Sequence, residues 1–167
     1  MDDGGLHPGR KSIRLPHHDY AAPASYFVTI CTDGKRCLFG RVLQGSVELT
    51  ELGHIARENW VAMPSHFASV NLHTFVVMPN HVHGIIEIGR RVGAQRAAPL
   101  PAALDGRRVV EKASLAAIVR SYKAAVTLRA RRELGWKGEV WQRNYFERFL
   151  RDGQEFADAA DTLARIR

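Results

Sequence analysis

Two short apolar runs joined by two residues constrain this chain more than any other feature it contains. Leu72 to Met78 and His81 to Ile88 are rich in β-branched residues, and Pro79-Asn80 between them is a turn signal. The pattern predicts an antiparallel hairpin. Side chains alternate across a strand, so His81, His83, Ile85 and Glu87 share one face of the second run. Val82, Gly84, Ile86 and Ile88 share the other.

The remaining elements follow from periodicity. Tyr26 to Thr32 reads as a first strand ending at the turn Asp33-Gly34, and Val47 to Thr50 as a second, weaker one. Thr50 can cap a helix beginning at Glu51, whose Leu52, Ile55, Ala56, Trp60 and Met63 recur at helical spacing until Pro64 stops it. Ser114 to about Leu134 is the longest helix, with Leu115, Ile118, Val119, Tyr122 and Val126 on the buried face and Gly135 at its end. Val140-Trp141-Gln142 suggests a short strand, followed by helical pieces at Tyr145 to Arg151 and Glu155 to Arg167. The order is that of an α+β, ferredoxin-like antiparallel sheet with helices packed on one side. Residues 25–167 form a single domain in this reading, with a flexible loop at 89–105. They follow an extended basic arm, 1–24, broken by Pro8, Pro16 and Pro23.

Charge indicates a class of partner. The formal net charge is +7, which attracts polyanions, nucleic acid first. From Arg107 to Arg151 basic residues outnumber acidic ones by about three to one. Arg120, Lys123, Arg131, Lys137, Arg143 and Arg148 are the candidate DNA contacts there, with Arg14 in the arm. Trp136, Trp141, Tyr145 and Phe146 are interleaved with that charge, and exposed aromatics can stack on unpaired bases. No apolar run is long enough to span a bilayer and no secretory signal opens the chain, so no membrane role and a cytoplasmic location are expected. Cys31 and Cys37 lack disulfide-framework or zinc-ribbon spacing and read as reduced thiols.

The residues with the most chemistry are His81 and His83. Two imidazoles on one strand face can hold one divalent cation. Imidazole with oxygen suits Mn, Zn, Ni or Co better than Mg, and phosphate oxygens shift the preference toward Mg or Mn. Glu87, on the same face, or a group on the C-terminal helix would supply a third ligand. Taken alone, His-X-His is a weak signal, since hydrogen-bonded or surface histidines more often explain it. His73 lies on the neighbouring strand, while histidines 7, 17, 18, 54 and 66 have no partner spacing.

Several ordered segments carry a family resemblance. Ser12-Ile13-Arg14-Leu15-Pro16, Tyr26 to Thr32, Cys37-Leu38-Phe39-Gly40, Phe75 to Gly84 and Val140 to Arg148 together resemble the REP-associated tyrosine transposases, relatives of the IS200 transposases. The resemblance implies a DNA transposase of HUH type that nicks and rejoins single-stranded or hairpin DNA. It also implies that His81 and His83 bind a divalent metal, Mg or Mn, that a tyrosine on the C-terminal helix forms a phosphotyrosine, and that the protein works as a homodimer. The position matching that tyrosine holds Thr162, followed by Leu163, and the chain ends at Arg167 without the family's Asn-Pro. Such an end reads as truncation or decay. Tyr145 is the remaining substitute, because Tyr26 and Tyr122 fall on core patterns and Tyr20 lies in the arm. The alternatives are a catalytically inactive DNA-binding relative and a metal hydrolase of a small substrate. The latter would want more histidines or carboxylates beside His81 and His83.

Overall fold

The hairpin read from the sequence forms one half of the main sheet. In the computed structural model, which describes residues 24–89 and 113–166, β4 (Val70–Met78) and β5 (His81–Ile88) pair antiparallel, with Met78 opposite His81. Neither Pro79 nor Asn80 has the positive φ typical of the mirror-image turns that usually close two-residue hairpins. Tertiary bonds hold this turn instead. Its carbonyls accept from Thr32 N (Asn80 O, 3.0 Å) and Phe39 N (Pro79 O, 2.9 Å).

β5 pairs on its other side with β1 (Ala24–Cys31), and β1 pairs with β6 (Phe146–Leu150), giving an antiparallel sheet in the order β4-β5-β1-β6. Two helices connect these strands: α1 (Glu51–Val61) lies between β1 and β4 in sequence, and α3 (Leu115–Leu134) between β5 and β6. This is the expected ferredoxin-like α+β arrangement. A separate two-stranded hairpin, β2 (Gly40–Leu43) with β3 (Ser46–Leu49), and a single helical turn, α2 (Met63–His66), flank α1.

α1 and α3 cover one sheet face through the residues their periodicity picked out. Leu52, Ile55, Ala56 and Trp60 are buried on α1, and Leu115, Ile118, Val119, Tyr122 and Val126 on α3, where Ala130 is buried as well. Together with Val28, Ile30, Val82 and Ile86 they form the main core. The Tyr122 hydroxyl donates to Ala56 O at 3.1 Å, satisfying a polar group that would otherwise be costly to bury. Side-chain caps open both helices and a glycine closes the second. Thr50 and Ser114 accept from the backbone N–H three residues on, and Gly135 closes α3 at φ +62°.

Four expectations are corrected. Val47–Thr50 is one half of a hairpin whose other half, β2, went unread; Gln44 (φ +50°) and Gly45 (φ +81°) form its positive-φ turn. Helix α1 ends at Val61, before Pro64, and Pro64 sits in the first turn of α2. The segment Tyr145–Arg151 is not helical: Phe146–Leu150 is the edge strand β6, because its backbone bonds to β1. Val140-Trp141-Gln142 reduces to one bridge, Thr32 to Trp141.

The C-terminal helix α4 (Gly153–Arg165), capped by Asp152, lies against the opposite sheet face, the one bearing the histidines. Its Ala159 and Leu163 form a small second core with Ile85 and Leu150. The arm apart from Ala24, which opens β1, and the 89–105 loop apart from Gly89 lie outside the described residues.

Candidate functional site

The strand register defines the histidine face row by row. His81 stands opposite Cys31 and Met78, and His83 opposite Thr29 and Val76. Thr29 is in turn opposite Phe146 of β6. α4 covers the part of this face around Ile85 and Leu150, while both histidines stay half-buried.

Each imidazole is held by an oxygen on one nitrogen and presents the other inward. Asn80 Oδ1 lies 2.6 Å from His81 Nδ1, and Thr29 Oγ1 lies 3.2 Å from His83 Nδ1. An amide oxygen can only accept, so Asn80 selects the His81 tautomer with its proton on Nδ1. The two Nε2 atoms converge to 2.6 Å, with the rings nearly perpendicular at 81°. Burial lowers the pKa of His81, and burial together with the neighbouring His81 lowers that of His83 to about 4. Both rings are therefore neutral at pH 7, the state in which imidazole ligates a metal. An oxygen behind each Nδ1, with the two Nε2 atoms turned toward one point, is the arrangement in which histidines hold a metal. The donor set fits a divalent cation.

Glu87 shares this face but is engaged elsewhere. Its Oε2 lies 2.7 Å from His73 Nε2 on β4, and the His73 ring meets Phe156 of α4 edge-on at 4.8 Å. Among the described residues no group of three His, Cys, Asp or Glu side chains is placed to hold a metal. Protein ligation by the two histidines alone would leave the other positions to water or substrate oxygens.

Tyr145 and Thr162, the two residues considered for the nucleophile's place, lie on different sides of the sheet. Tyr145 packs against the main core, on the opposite side of the sheet. Thr162 lies exposed on α4, its hydroxyl donating to Asp158 O at 2.8 Å within the helix.

The predicted basic contacts separate into two groups. Lys123 is half-buried: its ammonium donates to Gln142 O (2.7 Å) and Asn144 O (3.0 Å), and burial lowers its pKa to about 8. It ties the lead-in to β6 onto α3, so its ammonium is already engaged by backbone carbonyls. Arg120 and Arg131 are exposed on α3, which packs on the far side of the sheet from the histidines, and Lys137 is exposed just after that helix. Arg143 and Arg148 are exposed at and before β6. Arg14 lies outside the described residues. Sequence reasoning missed Thr29 and Asn80. Asn80 carried a signal, being next to His81, whereas Thr29 emerges only from the register.

No family model matches the chain. A Haemophilus influenzae protein, itself uncharacterized, is 39% identical over 157 residues, spanning 92% of this chain and 85% of its own length. The chain belongs to the family of that protein. The fold is shared more widely. A REP-associated tyrosine transposase, solved bound to a REP hairpin, superposes with a TM-score of 0.53 at 13% identity, over 90% of this chain and 70% of that one. No described helix is long and apolar enough to cross a membrane.

Proposed function

We propose that this protein is a DNA-binding member of the transposase class that acts on single-stranded or hairpin DNA at the face carrying His81 and His83. The observation that carries the reading is the convergence of two neutral imidazoles on the partly open face of a sheet whose fold is that of a hairpin-bound transposase. A Mg or Mn ion held there by His81 and His83 would supply Lewis acidity toward a scissile phosphate. The chain's own residues have simpler tasks. Asn80 and Thr29 orient the rings, and the buried Val82 and Ile86 fix the strand beneath them. The net charge of +7 draws the polyanion.

One observation favours a second reading, a relative that binds DNA without cutting it. Thr162 stands where the family resemblance places the nucleophilic tyrosine, and its hydroxyl has a pKa too high for attack without an adjacent base. The test is a nicking assay on single-stranded hairpins with Mg or Mn, scoring covalent protein–DNA adducts for the wild type and for His81→Ala/His83→Ala. Adducts lost in the double variant support a working transposase, and size-exclusion chromatography of the adduct-forming species tests the homodimer. Binding without adducts supports the second reading, and no binding refutes both.

A further inference from the structure

Four aromatic side chains are interleaved with the basic C-terminal segment, and the fold leaves one of them exposed. Trp141 is buried with its Nε1 donating to Lys123 O at 3.1 Å, and Trp136 and Tyr145 pack on the main core. Phe146 is 57% exposed, the only aromatic among the exposed large hydrophobic residues of the described chain. An exposed phenyl ring at the start of an edge strand costs hydration free energy without returning packing.

Its position follows from the register. Phe146 is opposite Thr29, and Thr29 is opposite His83, to which it is hydrogen-bonded, so all three side chains rise from one row of the same face. At roughly 4.8 Å per strand, Phe146 lies about 10 Å from the histidine pair. Arg148 is opposite Phe27 in the next row, also exposed and also on this face. Among the described residues no carboxylate forms an ion pair with Arg143, Arg148 or Arg151, whereas Arg129 and Arg132 on α3 are paired with Glu58 or Glu133. Leu150, at the other end of the strand, is buried beneath α4, so the helix leaves the Phe146 end open.

We propose that β6 is a nucleobase platform. Phe146 stacks on one unpaired base of the strand whose phosphate lies at His81 and His83, and Arg148 meets a neighbouring phosphate. The proposal rests on the DNA-binding reading above and adds the residues that select single over double strands, because a base within a duplex has no free face to offer. Charge selects the occupant: an apolar protein partner would gain nothing from the unpaired arginines flanking the ring.

The experiment is equilibrium binding of the full chain to single-stranded oligonucleotides bearing 2-aminopurine at successive positions, with the matching duplex as competitor. The wild type should quench the probe at one position. Phe146→Ala should lose that quench and bind roughly tenfold more weakly, while Phe146→Trp restores both. Arg148→Gln should lower the salt dependence of log K by about 0.7. Leu128→Ala, an exposed position on α3, should change nothing. Because Phe146 is exposed, its variants should melt with the wild type, and circular dichroism checks that. If the wild type binds single strands and Phe146→Ala binds and quenches identically, the platform is refuted and the DNA-binding reading stands. If the wild type binds no single strand, both fall.

Discussion

Gly84 separates His83 from Ile85 on β5 and faces the main core, where there is no room for a side chain. A Cβ built there would lie 2.5 Å from Trp60 Cζ2 and 2.7 Å from Phe75 Cβ, against roughly 3.5–4.0 Å for ordinary carbon contacts. The indole is not free to retreat. Trp60 is fully buried, stacks on Phe75 at 5.6 Å and meets Tyr122 edge-on at 5.4 Å. Gly84→Ala therefore requires β5 or the Trp60 cluster to move by on the order of 1 Å, and overpacking of that kind costs about 1–3 kcal/mol. For a domain of this size the melting temperature should fall by roughly 3–10 °C. Urea unfolding measures the loss directly, with an unchanged m-value showing that the unfolded state is not responsible. A midpoint equivalent to less than about 0.5 kcal/mol of change, the level of an inert surface substitution, would refute the close-approach argument.

Other perturbations test the site and its supports. Asn80→Ala and Thr29→Val remove the oxygens behind the two imidazoles and should each weaken Mn binding about 10–100-fold by calorimetry; unchanged affinity would show that the rings need no such orientation. Lys123→Met strands the carbonyls of Gln142 and Asn144 and should cost about 2–3 kcal/mol of stability without altering the salt dependence of DNA binding, whereas a phosphate-contacting lysine would show the reverse. His83 has a folded pKa of about 4 against about 6.5 unfolded, so the unfolded chain binds the extra proton first. Its contribution to stability is full above pH 6.5 and is lost as pH falls toward 4; His83→Gln should flatten that part of the urea-stability profile. Thr50→Ala removes the α1 cap bond to Gly53 N and should cost about 1 kcal/mol in the same assay.

What the sequence determined by itself was whatever local periodicity encodes. The β4-β5 hairpin, the buried faces of α1 and α3, their Thr50 and Gly135 caps, and the shared face of His81 and His83 all depend on residues within a few positions of one another. Long-range pairing was decided by the tertiary structure. Phe146 to Leu150 has no strict alternation of apolar and polar residues, and only hydrogen bonding to β1, far away in the chain, makes it a strand. Glu87 was correctly placed on the histidine face, but its partner is His73 on the neighbouring strand, a choice made by the β4-β5 register and the bulge between Leu72 and Phe75. Lys123 looked like any other helix cation until folding put three backbone carbonyls around it. The pairing of Thr29 with His83, and the row that extends from them to Phe146, likewise exist only once three strands align. Side-chain direction along a strand is a property of the backbone's own twofold alternation, whereas the identity of the cross-strand neighbour depends on register, which the whole sheet sets together.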